Sequence, residues 1–293
     1  MAALDSSGSC AAVLRQVQEA DAAAGQQGVH VYVLSKALDT MKKKAACEGS
    51  SAADREAVGQ LLQLTTERLG QFKPRQLAAF VRCAAAFPGV LQPQQLGTWQ
   101  AELRQHKPLD ASAHGVSNML LAMGTLAESD QRLAAVVSQP LAAQLLQHAV
   151  GLATAGKLAP LQSVSNTLYG AALLGLRPSA AQMQQLFSAV QQALEQPTHW
   201  DDHKAVNQIL LACAQLSDVE TSVGDAPTPD QNPFHRYYPG TRLVDALLHR
   251  AITSELDART APMLVYACGC LLHMPSQDAW EELLAGGCLC ASP

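Results

Sequence analysis

Three polar pairs recur along the chain in one setting: Ser117-Asn118, Ser165-Asn166 and Asn207-Gln208. Each follows a valine, at 116, 164 or 206, and precedes a run of small and aliphatic residues. A carboxamide donates and accepts hydrogen bonds at once, and a hydroxyl can do the same. The chemistry on offer is therefore hydrogen-bond recognition, either of a ligand or of neighbouring backbone in a buried setting. Cations stand near the same stretches: Arg75, Arg82, Lys157, Arg177 and Lys204. Catalysis has little to draw on. The sequence contains no Gly-x-Ser-x-Gly elbow, no His-Glu-x-x-His helix and no phosphate-cradling glycine loop, which leaves an enzyme as the least supported class.

Two other groupings have ligand-type residues. Cys268-x-Cys270 and Cys288-x-Cys290, with His273 nearby, bear some likeness to a zinc site. The spacing is not that of the usual Cys-x-x-Cys knuckle, and one turn of helix puts Cys268 and Cys270 on different faces, so packing thiols are the better assignment. Cys83, Cys213, Cys268 and Cys270 fall in apolar runs where a small thiol packs like Ala, which fits a reducing compartment. The run His199-Trp200-Asp201-Asp202-His203 precedes a helix-like stretch, so Asp201 or Asp202 is expected to cap that helix. Neither grouping implies a metal or another cofactor.

The polar pairs belong to a longer phrase. VSNMLLAMGTL opens at Val116, VSNTLYGAALL at Val164 and VNQILLACAQL at Val206. LAAFVRCAAAF opens at Leu77, APMLVYACGCL at Ala261, and a weaker copy, VYVLSKALDTM, at Val31. The five clear openings lie about 40 to 55 residues apart, the drifting period of a helical repeat array. A second helical segment follows each phrase. After Gly175, a natural stop, Ser179 can cap a helix carrying Met183, Leu186, Phe187, Val190 and Leu194 on one stripe. After Phe87-Pro88-Gly89, Pro93 can open a helix with Leu96, Trp99 and Leu103 on one face. Ser112 can cap the next phrase.

The whole chain agrees. It has 293 residues, 48% hydrophobic but only 4% aromatic, and the apolar share is mostly Ala and Leu, which favour helix. The fold expected is all-α: a right-handed α-solenoid of about five or six antiparallel helix pairs. The pairs are 29–44 with 54–70, 75–87 with 93–106, and 112–126 with 130–153. They continue as 161–174 with 179–196, 202–216 with 241–255, and 258–272 with 276–285. Residues 1–28 read as an N-terminal extension and 29–216 as the solenoid. The polar, Pro-rich segment 217–240 reads as an exposed loop, 241–286 as the last repeats and 287–293 as a tail. A shorter linker lies at 47–53. Without a polar capping helix at its end, the array reads as cut short there. The net charge of −5 does not suggest a generally nucleic-acid-attracting surface, though a basic face can lie within an acidic total. No run approaches the roughly 20 apolar residues a membrane span needs. The N-terminus lacks the order of a secretory signal, and Asp5, Glu19 and Asp21 suit an organelle transit peptide poorly. Its features fit a cytosolic protein or a sequence without its native start.

The phrases at 164–175 and 116–126 resemble the octotricopeptide repeat, a helix-pair repeat abundant in green algae. It is related to the repeats of FAST-kinase-like organellar proteins. Asn118 and Asn166 match the family Asn, Tyr169 stands where Trp is usual, and Leu174-Gly175 matches the Leu-Gly ending. Gln208, Ala79 and Met263 occupy the Asn position in the other copies and depart from it. The segment 74–106 also looks like such a repeat, and the resemblance covers roughly residues 55–285. The C-terminal RAP domain of some members has no counterpart in this chain.

The resemblance implies non-catalytic, sequence-specific binding of single-stranded RNA in a chloroplast or mitochondrion. It would serve transcript stability, processing or translation, or ribosomal RNA binding. Ser117, Asn118, Ser165, Asn166, Asn207 and Gln208 would then meet base edges, and Arg75, Arg82, Lys157, Arg177 and Lys204 the phosphates. Proteins of an RNA-processing or ribosomal complex are further partners of that kind. Two alternatives stay open. The Asn residues can instead satisfy buried backbone, and the array can serve as a scaffold for other proteins, which its low charged fraction (15%) suits.

Overall fold

In a computed structural model the chain is described over residues 9–25, 28–48, 51–106, 112–199, 202–221, 237–254, 256–257 and 259–288. Those residues are helical or in turns, with no strand among them. The chain divides into two compact units, Met1–Leu145 and Leu146–Pro293.

In the first unit the helices are α1 (Cys10–Ala24), α2 (Val31–Glu48), α3 (Ala52–Thr66), α4 (Pro74–Ala86), α5 (Pro93–Gln105), α6 (Ala113–Ser129) and the single turn α7 (Gln131–Ala134). Helix α8 (Gln139–Thr154) runs across the boundary. The phrase-bearing helices α2, α4 and α6 pack side by side in one row, and α3, α5 and α7 in a second. The starts follow from sequence. The Ser51 hydroxyl and the Asp54 carboxylate form a reciprocal cap at α3. Pro74 and Pro93 open α4 and α5, where a missing N–H costs nothing. Ser112 accepts from the Gly115 N–H at α6.

Residues assigned to the N-terminal extension include a helix. Helix α1 packs on α2 and α3 and buries Cys10, Val13, Leu14 and Val17. Its end is tied to the unit by Arg68, which donates to the Val29 carbonyl at 3.1 Å and to Asp21 at 2.7 Å. Asp21 also accepts the Val29 N–H at 2.7 Å. That bond first, and the Arg68 guanidinium second, hold the Asp21 carboxyl below the usual carboxylate range. Gly28 lies beneath the same guanidinium at φ +64°, where an added Cβ would sit 2.6 Å from Arg68 Nη2.

The helix expected over 130–153 is two helices, α7 and α8. Pro140 cannot continue a helix from residues upstream, because its ring clashes with the carbonyl one turn back. Ser138 instead caps α8, accepting from the Leu141 N–H at 3.3 Å. Buried Gln100 of α5 clasps the intervening turn: it donates to the Val136 carbonyl at 2.9 Å and accepts from the Ser138 N–H at 2.6 Å.

The second unit holds α9 (Leu161–Leu173), α10 (Ala180–Leu194), α11 (Asp202–Thr221), α12 (Thr241–Ile252), α13 (Thr260–Cys270) and α14 (Gln277–Cys288). Here α9, α11 and α13 form one row and α10, α12 and α14 the other. Gly175, at φ +65°, ends α9, with the Leu176 N–H on the Ala171 carbonyl and the Gly175 N–H on that of Ala172. Ser179 caps α10. Met183, Leu186 and Val190 of the expected stripe are buried, whereas Phe187 and Leu194 are half-buried. Helix α11 extends to Thr221, into the segment expected to be a loop; residues 222–236 lie outside the described residues, as do 289–293 of the expected tail.

Candidate functional site

The phrase-bearing helices place their second and third positions at contacts between neighbours. In the second unit the Ser165 hydroxyl lies 3.1 Å from Gln208 Oε1 and 3.0 Å from the Gln162 carbonyl. Asn207 Nδ2 lies 3.6 Å from the Met263 sulfur. Ser165 and Asn207 hold the second position of their phrases, and Gln208 and Met263 the third position of the next. One register therefore repeats from α9 to α11 and from α11 to α13.

The carboxamides differ in availability. Asn118 is 8% exposed and donates to the His114 carbonyl one turn back at 2.6 Å. Ser117 is fully buried and reaches the same carbonyl at 3.3 Å. Asn166 is 2% exposed and accepts from Gln162 Nε2 at 2.9 Å. These bonds lie within single helices, and those of Ser117 and Asn118 are the backbone-satisfying alternative in a local form. Asn207 is also buried, and its Oδ1 has no hydrogen-bond partner among the described residues. Gln208 is half-buried, and the tyrosine of the α13 phrase, Tyr266, is 63% exposed. Sequence reasoning passed over Tyr266. Its signal was its alignment with Tyr169, where the family phrase usually has Trp.

The predicted cations fall into two groups. Arg75, Lys157, Arg177 and Lys204 are exposed. Lys157 and Arg177 come just after the C-terminal ends of α8 and α9, where positive charge suits the helix dipole. Arg82 is different: it donates to Asp39 of α2 at 2.6 Å, and its Nη1 faces His114 Nε2 of α6 at 3.4 Å. It thus links three neighbouring phrase helices. Lys42 of α2 and Arg75 of α4 also act electrostatically on His114. Desolvation by neighbouring groups, then the charges of Arg82 and Lys42, push the imidazole of the exposed His114 below its ordinary value. Burial, then Arg82, push the Lys42 ammonium down as well.

The remaining groupings have structural roles. Asp202 accepts the His199 N–H at 3.0 Å at the start of α11 and also meets buried Arg250 at 3.0 Å. Trp200 and Asp201 lie outside the described residues, as do the Cys288 side chain and Cys290. Cys10, Cys83, Cys213 and Cys268 are buried and form no disulfide among the described residues, and burial pushes Cys213 up to about 12 and Cys268 up to about 11. Among the described residues no three His, Cys, Asp or Glu side chains converge as a metal site would require. No helix among them is long and apolar enough to cross a membrane. One polar cluster had no sequence signal: His273 joins Asp245, at 2.9 Å, to the Tyr238 hydroxyl, at 3.1 Å. Those three residues come from separate turns of the chain and meet only on folding.

No protein-family model matches the sequence, and no curated protein matches it significantly.

Proposed function

We propose that this chain is a non-catalytic RNA-binding factor, an α-solenoid of octotricopeptide type that reads single-stranded RNA in a chloroplast or mitochondrion. The observation that carries the reading is the recurring register of the phrase helices. Successive helices in the α9, α11, α13 row meet through the same phrase positions, as Ser165 with Gln208 and Asn207 with Met263 do. A module that reads unpaired bases one repeat at a time needs that regularity. Gln208 and Tyr266 are the side chains best placed to meet a base, through the carboxamide and through the exposed ring. Ser117, Asn118, Ser165 and Asn166 then act from beneath, fixing the helices that carry the contacts. Transcript stability, processing, translation or ribosomal RNA binding are the roles such a reader would serve.

The test is binding of a single-stranded RNA, chosen by selection from a random pool, to Tyr266→Ala and Gln208→Ala variants. Loss of one base stack costs about 1–3 kcal/mol, so Tyr266→Ala should weaken binding by about 5- to 150-fold. Full affinity in both folded variants would remove the proposed surface. A protein scaffold is the second reading. Met263, Tyr266, Leu272, Met274 and Leu284 of the α13–α14 pair are all exposed, Met274 by 83%, and exposed apolar side chains of this kind suit a protein partner.

A further inference from the structure

We infer that α2, α4 and α6 form a phosphate-group site in the first unit, built from Lys42, Arg75, Arg82 and His114 around the carboxylate of Asp39. The inference rests on the RNA reading only for the source of the phosphate. Three observations lead to it. Arg82 bridges Asp39 and His114, so these side chains share one patch spanning three neighbouring helices. Arg82 is largely covered, with 18% of its side chain exposed, and its buried Nε–H has no hydrogen-bond partner among the described residues. Lys42, half-buried beside it, acts electrostatically on both Arg82 and His114. Asp39 therefore balances at most one of three fixed cations. A phosphate group offers several strong acceptor oxygens and one or two negative charges, matching the leftover positive charge.

The patch also couples anion binding to a proton. The ionised groups acting on His114 are Arg82 and Arg75 from α4, and Lys42 and Asp39 from α2. Three of these four are cations, and with desolvation they disfavour the imidazolium when no anion is bound. A bound phosphate reverses that balance, so the site takes up a proton as it fills. Affinity must then rise as pH falls toward the depressed value of His114, through the range where His titrates.

Two probes separate the sources: inorganic phosphate, and an abasic single-stranded oligonucleotide that presents the sugar–phosphate backbone without bases. Binding to the full chain is followed by fluorescence anisotropy and by the imidazole resonances of His114, assigned with His114→Gln. The site is expected to move the His114 resonances with at least one probe. Lys42→Ala should weaken that probe about 5- to 10-fold, and Asp39→Asn should strengthen it by a similar factor, because the competing carboxylate charge is gone. The abasic chain has a constant charge between about pH 8 and about pH 6, so a rise in its affinity over that range, lost in His114→Gln, reports the coupled proton. Binding by both probes places a nucleic-acid backbone at the patch, and binding by inorganic phosphate alone assigns it to a free phosphate compound. No His114 shift with either probe, or an Asp39→Asn variant that binds no better, overturns the site. RNA bound with undiminished affinity by Lys42→Ala would overturn a nucleic-acid backbone as the phosphate source and leave the RNA reading standing.

Discussion

Arg250→Ala will lower the stability of the second unit by about 3–5 kcal/mol, the usual consequence of removing one partner of a buried ion pair. Arg250 is 7% exposed and lies on α12. Its Nη1 meets Asp202 at the start of α11, and its Nη2 donates to the carbonyls of Leu194 and Gln196 at the end of α10. One guanidinium on α12 thus ties together two helix ends, the end of α10 and the start of α11. Alanine leaves the Asp202 carboxylate, itself 7% exposed, with the His199 N–H as its remaining charge-satisfying donor among the bonds described above. It also takes a donor from two carbonyls at a helix end, each of which then bears a desolvation cost. Urea unfolding followed by circular dichroism will show an earlier transition. Adding Asp202→Asn should recover part of the loss, because the stranded charge is removed with its partner. A transition unmoved by Arg250→Ala would mean that solvent reaches the pair and that the helix ends are held by other contacts.

Trp99→Ala will cost the first unit about 3–5 kcal/mol, mostly from the cavity it leaves. Trp99 is fully buried on α5, and its indole N–H donates to the Leu77 carbonyl of α4 at 2.8 Å. Leu77 opens the phrase of that helix, so this bond fixes the second helix of a pair against the first. Trp99→Phe separates the two contributions. It keeps much of the volume and removes only the bond that the Leu77 carbonyl accepts in addition to its own helix bond, which costs about 0.5–1.5 kcal/mol. The expected order of denaturation midpoints is wild type, then Trp99→Phe, then Trp99→Ala. Equal midpoints for the two variants would show that the hydrogen bond, not the packing, holds the pair.

Local punctuation made most of the helices legible. Ser51, Ser112 and Ser179 have the polar side chain that accepts a first-turn N–H, Pro74 and Pro93 stand where no N–H is needed, and Gly175 takes the left-handed backbone that ends α9. Helix α1 was missed although its signals were present, with Ser9 as cap and Cys10, Val13, Leu14 and Val17 at three- and four-residue steps. The break between α7 and α8 was signalled by Pro140, but the Ala- and Leu-rich residues around it masked the stop. What no local pattern could give was the partner of a polar side chain. Asn118 and Asn166 look alike in sequence, yet one bonds a carbonyl and the other a glutamine. Arg82 was singled out as a phosphate contact, but its pairing with Asp39, 43 positions away, arises from helix packing. Arg250 and the His273 cluster gave no signal because their partners lie 28 to 56 positions away along the chain.

The measurement that tests the central claim most directly is the affinity of the purified chain for a randomised single-stranded RNA pool, followed across a range of salt concentrations. The account predicts a short enriched motif after selection. It also predicts that the logarithm of the binding constant falls with the logarithm of salt at a slope of about −2 to −4, as release of counterions from about three to six phosphates requires. Absence of binding even at low salt would contradict it, and the exposed α13–α14 surface would then stand as a contact for protein.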